Sequence, residues 1–210
     1  MRPRLAAAGA WALIVGLVLI AAAPGCVTVD EKGNIVPPEE EAETTGPLLK
    51  KQIDKRIDGL KYLRGTALLD SLNWLILYGE HAVAQLLQGL EDPDPRTRSY
   101  CAYVLGEIGN QDVVPSLREA LAREEHKRVR FEIAASLVTL GDWGQMGLLI
   151  EGLEEEARLS RHKCFEILRK NLNLTFGFDP AGPADERAAA VAKWKAWWER
   201  NRSTFTPVVK

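Results

Sequence analysis

Two adjacent stretches of this chain repeat one another at an offset of 32 residues, and that self-similarity restricts the possible folds more than any single motif does. Arg98 pairs with Arg130, Ala102 with Ala134, Leu105 with Leu137, Gly109 with Gly141, Leu117 with Leu149, Glu119 with Glu151 and Leu121 with Leu153. A period of this length marks stacked helical units, because one such unit cannot bury its apolar face alone. Stacked units present an extended side to partners, so the repeat points to a binding surface rather than a catalytic pocket.

Local signals divide each unit into two helices. Asp94 followed by Pro95 predicts a helix start: a side-chain oxygen caps free amide donors, and proline at the first helical position loses no hydrogen bond. Cys101, Val104, Leu105 and Ile108 recur at helical spacing, and Gly109-Asn110 ends the run. A second helix opens at Asp112, with Val113, Leu117, Ala120 and Leu121 on its apolar face. The next unit repeats this as Val129, Ile133, Ala134, Leu137 and Leu140, a break at Gly141-Asp142, then Met146, Leu149, Ile150 and Leu153. Residues 65–90 read as a degenerate copy upstream, residues 160–172 supply a further first helix downstream, and a leading helix runs from Pro47 to about Leu63.

The run Asp-Pro-Arg-Thr-Arg (94–98), Ala-Tyr-Val-Leu-Gly-Glu-Ile-Gly (102–109) and Asp-Val-Val-Pro-Ser-Leu-Arg-Glu-Ala-Leu (112–121) resembles the HEAT repeat in its short PBS-lyase-type form. The resemblance covers about half of the chain. It implies an all-α fold, a right-handed α-solenoid of about four helix pairs whose second helices line a concave, protein-binding face. It also implies that Arg98, Arg130 and Arg161, near the starts of first helices, serve as structural ties to acidic residues of adjacent turns or repeats. Outward positions on the second helices, Gln85, Gln88, Ser116, Glu119, Gln145 and Glu151, are the candidate partner contacts.

The ends of the chain differ in composition from the repeats. Arg2 and Arg4 precede an apolar stretch from Leu5 to Pro24, the layout of an export signal. Ala23-Pro24-Gly25-Cys26 resembles the lipobox of bacterial lipoproteins, which implies cleavage after residue 25 and a lipid on Cys26. An uncleaved membrane anchor is the alternative, since about 18 to 20 apolar residues can span a bilayer. Val27, in place of a retaining aspartate, favours an outer-membrane destination within that resemblance. Residues 26–46 are acidic and apolar-poor, the composition of a disordered tether. The repeats then occupy residues 47–172, and residues 173–210 form a loop and a final helix bearing Trp194, Trp197 and Trp198 at spacings of three and four. A tryptophan stripe at that spacing reads as a cap over the open end of the stack, with an exposed docking face as the alternative.

Residues 46–210 carry 24 basic and 23 acidic side chains, a balance that excludes nucleic acid as the expected partner. His81, His126 and His162 fall in successive repeats about 10 Å apart, too far to share a metal ion. Cys101 and Cys164 lie two repeats apart, beyond disulfide reach. No phosphate loop or nucleophile elbow is present. The sequence therefore predicts no catalytic residues, no metal and no cofactor. The resulting expectation is a non-enzymatic protein-binding scaffold, a lipoprotein of the bacterial cell envelope anchored in the membrane through Cys26, facing the periplasm and holding another envelope protein. Two alternatives accompany it: a structural subunit docking through the tryptophan helix, and a PBS-lyase-like enzyme or small-ligand binder.

Overall fold

The computed structural model describes the backbone of residues 28–29, 35–36 and 39–203, and the side chains of residues 46–203. The expected signal segment and Cys26 lie outside the described residues. The chain divides into two units, residues 1–45 and 46–210. In the first, β1 (Thr28–Val29) and β2 (Ile35–Val36) pair antiparallel, with Thr28 opposite Val36. Helix α1 (Glu39–Gly59) begins upstream of Pro47, the start expected from sequence. Glutamate is a good helix former, so the acidic run at 39–43 suits a helix as well as a tether.

The second unit is an α-solenoid. Its helix pairs are α2 (Gly65–Tyr78) with α3 (Val83–Gly89), α4 (Pro95–Ile108) with α5 (Val114–Arg123), and α6 (Lys127–Thr139) with α7 (Met146–Glu151). Helix α8 (Arg158–Leu172) opens a fourth unit, and α9 (Ala184–Asn201) closes the stack against α7. The first helices stack in order: α2 on α4, α4 on α6, and α6 on α8.

Each pair turns at the same kind of residue. Gly79, Gly109 and Gly141 hold φ of 40°, 81° and 88°, a backbone region that strains any residue with a Cβ. A 3-10 turn, beginning at Gly79 in the first pair and two residues after the glycine in the others, feeds the second helix. The turns also tie neighbouring units: Asn110 Nδ2 donates to Glu80 Oε2 at 2.8 Å, and Arg118 pairs with Asp142 at 2.6 Å. At the start of α4 the Asp94 carboxylate accepts from the Arg96 amide at 2.8 Å, the cap that the Asp-Pro pair predicts.

Helix α6 is buried around most of its circumference, because α4 and α8 flank it while α5 and α7 cover its inner side. Val129, Ile133, Leu137 and Leu140 join the core shared with α1–α5, whereas Phe131, Ala134, Ala135 and Val138 join the core shared with α7–α9. Small residues set the spacing. A side chain at Gly106 would run into Ser136, whose hydroxyl donates to the Ala102 carbonyl at 2.7 Å. Gly89 and Gly152 admit the thiols of Cys101 and Cys164 in the same way, two repeats apart.

The tryptophan helix caps the stack. Trp194 is fully buried beside Val191, its ring edge-on to Phe176 at 4.8 Å and to Trp197 at 6.1 Å, and Trp198 lies against Gly147 of α7. Phe178 returns from the preceding loop to meet Phe165 of α8 at 5.3 Å.

Gly152→Ala places a methyl on the Cys164 thiol and is expected to destabilise the fold by about 1–3 kcal/mol, the usual cost of overpacking. Adding Cys164→Ala removes the clash and recovers part of that loss. Urea midpoints of the two variants check this, and a single variant as stable as the parent refutes it.

Candidate functional site

The residues that shape the surface between units are the three repeat-equivalent arginines. Arg98 donates from Nη1 to the carbonyls of Asp92 at 2.8 Å and Pro93 at 3.1 Å, and makes a two-pronged pair with Glu124 at 2.7 and 2.9 Å. Arg130 donates to the carbonyls of Glu124 at 2.9 Å and Leu121 at 3.3 Å. Arg161 donates to the carbonyls of Glu155 at 2.7 Å and Glu156 at 2.6 Å, and reaches Pro180 O at 2.8 Å. Each guanidinium thus satisfies carbonyls left open where a second helix ends, a need that every helix C-terminus has. The Arg98–Glu124 pair matches the tie to an acidic residue that the family resemblance implies. Arg130 and Arg161 donate to backbone carbonyls.

With these loops fixed, the ends of the second helices border a series of cavities. Between α1 and α3 lies one of ≈ 450 Å³ lined by Lys50, Asp54, Ile57, Asp58, Gln85, Gln88, Gly89, Glu91 and Asp92. It adjoins another of ≈ 310 Å³ that shares Lys50, Gln85 and Gln88. The next, ≈ 330 Å³, includes Arg98, Arg123, Glu124 and Glu125, and the last, ≈ 390 Å³ between α6 and α7, includes Lys127, Arg130, Glu151, Glu154 and Glu155. Carboxylates outnumber cations along this edge, although the described residues as a whole are close to neutral. Several are already partnered: Glu91 with Arg123, Glu155 with Lys127 at 3.2 Å, and Glu154 with Lys195 at 2.7 Å.

A second polar group runs across the first helices. Buried Glu132 of α6 accepts from Ser99 of α4 at 3.3 Å and pairs with Lys163 of α8, whose ammonium lies 5.4 Å from the Tyr103 ring centre. A small cavity of ≈ 110 Å³ there touches Cys164. Burial pushes the Cys164 thiol up to about 12, with nearby Glu132 adding to the effect, and burial raises Cys101 further still. Thiols so shifted are neutral and poor nucleophiles at ordinary pH. This cluster joins helices; it holds no activated nucleophile.

The structure places the sequence-predicted contact residues unevenly. Gln85 and Gln88 line the α1–α3 cavities and Glu151 lines the α6–α7 cavity, whereas Ser116, Glu119 and Gln145 lie outside these cavities. Gln85 is not an outward position: it is 9% exposed, and residues of α1 line the same cavities. Sequence reasoning missed Asp54 and Asp58. Their spacing of four on one helix was the available signal, since such a pair shares a face. Among the described residues no three His, Cys, Asp or Glu side chains could hold one metal ion, and no helix is long and apolar enough to cross a membrane.

Comparison with known proteins adds what geometry does not. Residues 83–169 match the family of HEAT repeats. Deoxyhypusine hydroxylase of Neurospora crassa is 28% identical over 160 residues, covering 71% of this chain and 46% of the relative. That of Aspergillus clavatus is 43% identical over 93 residues, 44% of this chain and 26% of the relative, and that of Chaetomium globosum 31% identical over 146 residues, 69% and 36%. The chain therefore spans less than half the length of these relatives. These matches overturn the expectation of a non-enzymatic scaffold, and with it the envelope-subunit and PBS-lyase alternatives, because the relatives carry the name of a different enzyme. They equally correct the expected placement as a lipoprotein in a bacterial cell envelope, since the matched proteins are fungal hydroxylases.

The Arg98–Glu124 tie yields a pH test. Burial on its own would raise the Glu124 carboxyl, but hydrogen bonds from the Arg98 side chain and the His126 amide outweigh it and hold the group below its ordinary value of 4.5. A carboxyl lowered on folding stabilises the fold above its unfolded value, and that contribution is lost as pH falls through the folded one. Between pH 7 and pH 3 the parent should lose more stability than Glu124→Gln, read as the change in urea midpoint. Parallel losses in the two proteins would contradict the assignment.

Proposed function

We propose that this chain, whose residues 83–169 match the family of HEAT repeats, serves an enzymatic role of the class its fungal relatives are named for, holding an amine-bearing side chain along the carboxylate-rich edge of its second helices. The observation that carries this reading is the coincidence of two facts: repeats similar to those of deoxyhypusine hydroxylases, and a border of cavities whose excess charge is negative. Deoxyhypusine is a lysine derivative with amines along its side chain, so it is a cation at neutral pH. An exposed ion pair adds at most about 1 kcal/mol, so affinity here depends on several carboxylates acting together within one groove.

Hydroxylation also needs an oxidant. A resident metal of the two-histidine, one-carboxylate kind would need three converging ligands, and the described residues do not fit it: His81, His126 and His162 belong to separate repeats, and no ligand cluster forms. We therefore derive no oxygen-transfer step, and the part assigned to these repeats is the holding and orientation of the substrate.

A synthetic peptide with one deoxyhypusine should bind the full chain at least tenfold more tightly than the same peptide with norleucine, measured by fluorescence anisotropy at fixed low salt. Gain of one oxygen atom by that peptide, read by mass spectrometry after incubation with the chain under air with added ferrous salt, tests the reaction itself. A peptide that neither binds preferentially nor gains mass overturns the reading.

A further inference from the structure

We infer that the outward face of α2 is the contact surface for a second copy of this chain, paired antiparallel about Asn73. The face lies on a first helix, whereas the cavities described above border second helices, so this inference stands apart from the proposed function. Among the first helices α2 is the apolar one. Counting Asp, Glu, Lys and Arg, its 14 residues hold one charged side chain, Asp70, whereas α4, α6 and α8 hold three, four and six. A helix apolar around its whole circumference is as a rule a buried one. Only part of α2 is buried: Leu72 and Leu75 are 6% and 0% exposed in the core, but Leu69 and Leu77 are 58% and 80% exposed.

Leu69, Asn73 and Leu77 are spaced by four, so they form one ridge along the helix. Thr66 and Asp70 flank it, and all five are exposed. The ridge is its own complement. Two copies packed antiparallel with Asn73 on a two-fold axis set Leu69 of each against Leu77 of the other, as an isologous contact requires. Asn73 then meets Asn73, and an amide can both donate and accept. A polar residue at such a centre fixes the register of the pair.

Charge complementarity selects the occupant and its direction. Arg64 immediately precedes α2 and Glu80 follows it. Antiparallel pairing brings Arg64 of each copy toward Glu80 of the other, whereas parallel pairing would stack Asp70 on Asp70 and Arg64 on Arg64. Glu80 accepts from Asn110 through Oε2, so Oε1 is the atom that meets the copy's guanidinium. One helix face on each side buries less than the roughly 1,600 Å² of a standard interface. The dimer is therefore a weak one, with a dissociation constant on the order of 10–100 μM.

Sedimentation velocity of the full chain, from tenfold below to tenfold above that constant, should show a monomer passing into a dimer. Leu69→Lys with Leu77→Lys should raise the constant at least tenfold without changing the melting temperature of the monomer. Leu77→Lys by itself, with about a fivefold rise, serves if the pair perturbs folding. Asn73→Cys reads the geometry. Facing α-carbons on helices about 8–10 Å apart, each about 2.3 Å from its axis, lie about 4–6 Å from one another, within disulfide reach. Mild oxidation should therefore bridge two copies of this variant through the introduced thiols, identified by peptide mapping. Thr66→Cys should not bridge, since its two copies lie about 21 Å apart along the helices. A chain that stays monomeric over that range, whether the face is then bare or taken by another partner, overturns the inference. So does association that survives the lysine variants, or a Thr66→Cys bridge as fast as the Asn73→Cys one.

Discussion

The interaction on which the surface depends is a guanidinium folded back onto the carbonyls that end the previous unit. Arg98, Arg130 and Arg161 each make it, with distances of 2.6–3.3 Å to peptide oxygens five to nine residues upstream. Arginine suits the task because its donors form a rigid fork that stays charged at any working pH. By fixing the loop between one second helix and the next first helix, the tie also sets where the following unit begins. The first unit has no such arginine on α2, and there α1 takes over: Arg56 lies 4.2 Å above the Trp74 ring. One end of the solenoid is therefore held by a helix from outside the repeat.

Packing between helices of neighbouring units follows a different logic, that of volume. Cys101 meets Gly89 and Cys164 meets Gly152, while the middle unit has Ile133 and Leu121 at the matching places. The glycine lets the cysteine side chain approach in the outer units, whereas the middle unit fills the equivalent places with two large side chains. At Gly106 of α4 there is no room for a side chain beside Ser136 of α6, and the Ser136 hydroxyl there donates to Ala102 O. Close approach and polar satisfaction are thus achieved by the same residue.

Much of this was legible in the residues. The period located α4 to α7, the Asp94-Pro95 pair located the start of α4, and Gly109 and Gly141 located the turns, because each rests on local backbone chemistry that no tertiary contact overrides. Trp194 read as a cap and is buried as one. What was not legible depends on which helix lies against which. Periodicity marks the stripe a helix buries in its own unit, and it placed Gln85 outside that stripe, yet Gln85 is buried and shares cavity walls with residues of α1. The same packing brings Asp54 and Asp58 opposite Glu91 and Asp92, residues 33 to 38 positions away in sequence, and no repeat relates them. Function was misread for a related reason. A repeat pattern describes the scaffold and is blind to the chemistry done on it, so the likeness to hydroxylases emerged only from comparison with whole sequences.

The electrostatics of the edge limit how such a surface can work. The chain has a formal net charge of −2, so there is little long-range field to draw a cation in. At physiological salt, charges separated by more than about 8 Å are largely screened. Discrimination must then arise on contact, where the carboxylates of one groove act within a few ångströms. The carboxylates nearest the arginine ties are already neutralised, Glu124 by Arg98 and Glu91 by Arg123. Asp54 and Asp58 on α1, with Glu125 and Glu151 farther along the edge, form none of the ion pairs among the described residues, while the Asp92 carboxylate accepts from the Asp94 amide at 2.7 Å. In this solenoid the helix that stands outside the repeat adds Asp54 and Asp58 to the wall of the cavity between α1 and α3.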